Sequence, residues 1–141
     1  MITTVRRTLV MQLDTETTGR FPVLAHLSYH LEDPFAVTMA FSHDGRVLAR
    51  WRLDRQMVAD GMERPVGEGD VRIRPQAMGM WRELRLEFFG RPHCDGGRQH
   101  AVVLAWAPAV LSFLDETHQV VAPGHEEVCL DGFLAEVIAG G

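Results

Sequence analysis

The stretch "PVGEGDVRIRP", residues 65 to 75, is the one place where glycine spacing suggests a phosphate cradle. Such a cradle needs backbone N–H groups that converge at the start of a helix. Here Gly67 and Gly69 lead into the alternating run Asp70 to Arg74, no Gly-Lys-Ser/Thr follows, and Asp70 would repel a phosphate. The stretch reads as a turn entering a strand. Metal binding is the next chemistry to weigh. His93, Cys94 and His100 share one loop, and His118, His125 and Cys129 share another region. Neither group contains the C-x2-C or H-x3-H pair that fixes two zinc ligands locally, so these residues read as scattered. The three serines, Ser28, Ser42 and Ser112, lie outside any G-x-S-x-G elbow. Cys94 adjoins His93, but the base of a reactive thiolate normally comes from elsewhere in a fold. His118 near Glu116, and His43 beside Asp44, are neighbours that any soluble chain contains by chance. No catalytic residue, metal site or cofactor is expected.

The basic residues are less bland. All fourteen are arginine, set in a chain of net charge −5, which argues against a surface that attracts polyanions everywhere. Strand phase puts Arg50, Arg52, Arg72 and Arg74 at outward positions. If their strands lie near each other, one sheet face carries an arginine patch able to contact phosphates or an acidic protein tail. The competing reading is a solvated face neutralised by Glu83, Glu87 and Asp54. Trp51 falls on the apolar side of its strand and Trp106 ends an apolar strand, so both are expected to pack, while Trp81 is not assigned. With few aromatics left to stack bases, nucleic acid is disfavoured.

These residues need a scaffold. At 141 residues the chain fits one domain, and 46 % hydrophobic composition suits an ordinary core. No run approaches the roughly 20 apolar residues of a spanning helix, and the two cysteines form no disulfide framework, so a cytoplasmic protein without direct membrane insertion is expected. Period-two alternation predicts strands over 5–13, 23–31, 37–41 and 47–53. A Glu32-Asp33-Pro34 turn separates the second and third, and "SHDG" (42–45) supplies an Asp-Gly hairpin. Asp54 caps a short helix that Gly61 ends. Strands at 70–75, 81–89 and 101–106 follow, with "GRPHCDGGRQ" (90–99) as a loop, then a helix at 107–118 opened by Pro108. Asp131 caps a last helix carrying Phe133, Leu134, Val137 and Ile138. The expected core is Leu9, Met11, Leu27, Tyr29, Met39, Phe41, Trp51, Val71, Ile73, Leu84, Leu86, Phe88, Val103, Leu111, Leu114, Leu134 and Val137. The fold class is α+β, two antiparallel β-meanders each followed by a helix.

Several stretches in order resemble the SsgA-like family of sporulation and cell-division proteins of spore-forming actinomycetes. They are "DPFAV" (33–37), "WRLDR" (51–55), "DGMERPVGEGDVRIRP" (60–75), "VLSFLDET" (110–117) and "PGHEEVCLD" (123–131). The likeness is strongest to the SsgB branch, although "LDRQMVADG" stands where the family helix usually reads more like "ARDLLAEG". The resemblance implies a non-enzymatic regulator, cytoplasmic and found at division septa, that helps recruit the tubulin-like division-ring protein FtsZ, directly or with a related SsgA-like protein. It also implies a whirly-like fold assembled as oligomers, often trimers, with a fourth strand in the second half, expected near 90–100. Single-stranded nucleic-acid binding, by analogy with whirly folds, is the alternative function.

Overall fold

Alternating side chains become eight strands and two helices in the computed structural model, which describes residues 2–15, 19–92, 94, 96 and 98–127. In chain order these are β1 (Thr4–Thr15), β2 (Gly19–His30), β3 (Asp33–His43), β4 (Arg46–Asp54), α1 (Arg55–Gly61), β5 (Val66–Glu68), β6 (Val71–Met78), β7 (Trp81–Pro92), β8 (Arg98–Trp106) and α2 (Ala107–Val120). The strands form a single sheet in the order β4-β3-β2-β1-β8-β7-β6-β5. All its ladders are antiparallel. The class is therefore α+β, a mostly antiparallel sheet with two helices. The two halves meet along a short seam in which Gln12, Leu13 and Asp14 of β1 pair with Leu104, Val103 and Val102 of β8. The sheet curls on itself: the Phe88 ring on β7 lies 5.5 Å from Phe41 on β3 and 4.8 Å from Trp51 on β4.

Inside the curl, Met11, Leu27, Tyr29, Val37, Met39 and Leu86 join Val58 of α1 and Val110, Phe113 and Leu114 of α2 in one core. Both helices thus occupy the inner face, and among the described residues no helix covers the outer face of the sheet.

Local chemistry explains the joints. Asp44 and Gly45 take φ of 50° and 77°, the left-handed pair that a type I′ hairpin requires. Asp54 caps α1 by accepting from the backbone N–H of Gln56 (2.7 Å) and Met57 (3.2 Å). Gly61 is required for space rather than for a left-handed turn: a Cβ there would overlap the Ile73 γ-methyl and lie 2.8 Å from Ile73 Cβ. The turn after β2 falls at Leu31–Glu32, and Asp33 already belongs to β3.

Four expectations need correction. The fourth strand of the second half is β5, inside the Gly-rich stretch, and Gly69 (φ 59°) turns it into β6. Residues 90–92 and 98–100 instead prolong β7 and β8, with Pro92 opposite Arg98. Leu111 is 47 % exposed, because α2 buries positions 107, 110, 113, 114 and 117 and residue 111 falls off that face. Trp106 is 52 % exposed: the residues of β8 alternate, and it points outward. The helix expected after Asp131, with Leu134 and Val137, lies outside the described residues, as do His93 and Cys129.

Candidate interaction surface

Register lines up an apolar stripe across the outer face. Val47 on β4 pairs with Ser42 on β3, Ser42 with Leu24 on β2, and Leu24 with Val10 on β1. One same-face step beyond the Gln12–Leu104 pair brings Val10 level with Trp106 on β8. Trp106 lies opposite Glu83 on β7, beside the Trp81–Met78 pair that closes the β6–β7 hairpin. Val47, Leu24, Val10, Trp106, Trp81 and Met78 are all exposed, and Met80 at the hairpin tip is 98 % exposed. The two indoles meet edge to face with centroids 6.2 Å apart. Around them Val10, Met78 and Leu104 line a shallow groove of ≈ 310 Å³. These side chains leave on the order of 800 Å² in water, above the roughly 300–600 Å² of the largest patch on a typical monomer.

Glu83 lies beneath the stripe, buried, with its carboxylate 3.3 Å from Arg20 Nη1 and 3.5 Å from Gln76 Nε2. The same Arg20 nitrogen sits 3.7 Å from Met78 Sδ, so one ion pair supports the hairpin end of the stripe.

The four arginines singled out in the sequence all lie on exposed outward positions, but on β4 and β6, which do not neighbour each other in the sheet. Arg52 forks onto Asp33 at 2.6 and 3.1 Å, which raises its already high pKa further. Asp33, not Asp54, is thus its counter-charge, and Asp54 is spent on the cap. Arg72 stands over the Phe89 ring at 5.2 Å and opposite Glu87. Glu87 is itself bound by Arg85 at 2.8 Å and lies 3.5 Å from His100, and the Arg85 hydrogen bond holds its pKa below the usual carboxylate value. Arg74 faces Arg85 directly across the ladder, a like-charge pairing that costs stability. Among the described residues Arg74 and Arg50 have no carboxylate partner.

Two further constellations were not legible in the sequence. His26 bridges hydroxyls across three strands, Nε2 to Ser42 Oγ at 3.0 Å and Nδ1 to Thr8 Oγ1 at 3.1 Å. A hydroxyl rather than a carboxylate orients the ring, and Ser42 is buried, so the contact is not built as an activated nucleophile. Arg55 is 1 % exposed and ties α1 to the end of α2. Its Nη1 donates to the carbonyls of Thr117 (3.1 Å) and Val121 (2.7 Å), and its Nη2 donates to Glu126 Oε1 (2.5 Å). The guanidinium also lies 4.8 Å from the Tyr29 ring centroid, and Tyr29 Oη donates to the Pro34 carbonyl at 2.9 Å. Burial raises the Tyr29 pKa, the Arg55 hydrogen bond lowers that of Glu126, and burial followed by the Arg55 charge lowers that of His118. The sole sequence signal for Arg55 was its place at the end of "WRLDR".

Comparison with known proteins puts this surface in context. Residues 23–126 match the family model described as "Streptomyces sporulation and cell division protein, SsgA". The sporulation-specific cell division protein SsgB of Saccharopolyspora erythraea is 35 % identical over 89 % of this chain and 84 % of its own. That of Streptomyces coelicolor is 32 % identical over 99 % and 98 %. The crystal structure of an SsgA-like sporulation-specific cell division protein from Thermobifida fusca superposes with a TM-score of 0.84 at 28 % identity, covering 96 % of each chain. A model match over most of the chain and relatives above 30 % identity along nearly its whole length decide the matter: the chain belongs to the SsgA family of sporulation and cell-division proteins.

Proposed function

We propose that this protein is a non-enzymatic adaptor of sporulation-specific septation, which helps recruit the FtsZ division ring or promotes its assembly at septum sites. The names of the relatives support a role in sporulation cell division. The observation that carries the adaptor reading is the apolar stripe: an exposed surface of this size, built around a tryptophan pair, suits contact with another protein. Contact with FtsZ is direct or shared with a related SsgA-like protein. The arginines Arg50, Arg52, Arg72 and Arg74 supply charge that an acidic partner complements. The protein works at the septum as a homo-oligomer, a trimer, of whirly-like architecture with one β-meander and one helix per half.

Co-sedimentation of the purified protein with assembled FtsZ polymers from the same organism tests this reading. Specific pelleting, or more polymer in the presence of the protein, is expected. Absence of both, with and without an SsgA-like partner added, removes the FtsZ role.

A further inference from the structure

We infer that the transverse stripe on the outer face is the seat of an amphipathic helix with acidic flanks, contributed by the protein's partner; the assignment rests on the adaptor reading and names the chemistry of its contact. Three observations carry it. The stripe crosses the strands on the face of the sheet and not along its edge, so a segment laid on it finds no ladder to join. An extended segment would bury unpaired backbone N–H and C=O groups there, whereas a helix satisfies its own. From Leu24 on β2 to Met78 on β6 the stripe spans four strand spacings, about 19 Å, which matches roughly 13 residues of helix. Anchors at i, i+3 and i+7 of such a helix span about 10.5 Å, close to the two strand spacings, about 9.5 Å, that lead from Val10 through Trp106 to Trp81.

The charge of this face then selects the partner. Although the chain carries −5 overall, two carboxylates on the outer face are engaged: Glu83 is buried against Arg20, and Glu87 is held by Arg85 and His100; Asp14, on the same face of β1 as Val10, lies opposite Arg20 in the β1–β2 ladder. Arg50 and Arg74 flank the stripe with no carboxylate partner among the described residues, and Arg74 is set against Arg85 at a cost that a bound carboxylate would offset. The exposed area equally suits one side of a dimer, at roughly 800 Å² per partner. A second copy laid face to face, however, would oppose arginine to arginine.

The probes are a synthetic 18-residue helix with leucine at i, i+3, i+4 and i+7 spacing and glutamate elsewhere, its counterpart with lysine for glutamate, and (dT)20. Each is titrated into the full-length protein by calorimetry. The glutamate helix is expected to bind at least tenfold tighter than the lysine helix. Trp106→Ser and Trp81→Ser should each weaken it at least tenfold, and Arg74→Glu several-fold. Both tryptophans are largely exposed, so these variants should fold, as circular dichroism checks; Val10→Asp is the second test of the same surface. Equal binding of the two helices, or binding indifferent to all four variants, overturns the inference. So does tight (dT)20 binding lost in the tryptophan variants, which marks a nucleic-acid surface, or self-association in the ultracentrifuge lost in them, which marks a second copy. Tryptophan variants that still pellet with FtsZ polymers sink this seat alone, whereas a wild type that never pellets sinks the adaptor reading.

Discussion

Replacing Arg55 by methionine keeps the length and bulk of the side chain but removes three donated hydrogen bonds and the charge opposite Glu126. The structure sets the magnitude. Arg55 is 1 % exposed and the Glu126 side chain 12 %, so the surviving carboxylate loses its partner in a place that water reaches poorly. Breaking a buried pair from one side costs about 3–5 kcal/mol, and the residual access of Glu126 brings the expectation to about 2–4 kcal/mol. Part of that cost is the orphaned charge, so the double variant Arg55→Met/Glu126→Gln should be more stable than the single by about 1 kcal/mol. The rest lies with the carbonyls of Thr117 and Val121, which neither variant satisfies. Urea unfolding followed by circular dichroism measures both, and thermal melts should show the single variant lowered by roughly 10 °C. A single-variant loss below 1 kcal/mol, or a double variant no more stable than the single, would refute the view that Arg55 pins the end of α2.

Gly61→Ala should cost about 1–3 kcal/mol, since its Cβ enters space held by Ile73; an unchanged urea midpoint would show that α1 shifts freely. Trp51→Ala should cost about 2–3 kcal/mol, less than the roughly 3–5 of a fully buried tryptophan, because Trp51 is only half-buried against Phe88. Stability should depend on pH through two groups around Arg55. His118 has a lowered folded pKa, so the folded state resists protonation and stability falls as pH drops below 6.5; His118→Gln should flatten the urea midpoint between pH 7 and 5.5. Glu126 also has a lowered folded pKa, so its contribution is present above 4.5 and is lost as pH falls through the folded value; Glu126→Gln should remove that acid-limb loss, and a limb of unchanged depth would count against the pair.

Strong period-two runs in β1, β2 and β3, the Asp44-Gly45 hairpin and the Asp54 cap were legible because each is decided by neighbours within a few residues. β5 was not, since three residues centred on Gly67 carry almost no strand propensity and owe their state to pairing with β6. The continuous apolar run into Trp106 hid its phase: only the pairing with β7 shows that Val103 and Ala105 face inward and Trp106 outward. Arg55 looked like an ordinary helical arginine, and its partners lie 62 to 71 residues away. The stripe was invisible for a related reason. Its members come from six strands, and only register places Leu24, Val10 and Trp106 in one line.

The seam between β1 and β8 has a consequence for when the surface exists. Gln12 and Leu104 lie far apart in sequence, so this pairing closes the longest loop of any strand ladder among the described residues and carries a high entropic threshold. Val10 belongs to the first of the described strands and Trp106 to the last. They become neighbours only when that loop shuts. A nascent chain still lacking β8, or one whose halves have separated, displays two fragments of the stripe and no groove between them. The groove is therefore a feature of the closed sheet, present only where β1 and β8 are joined.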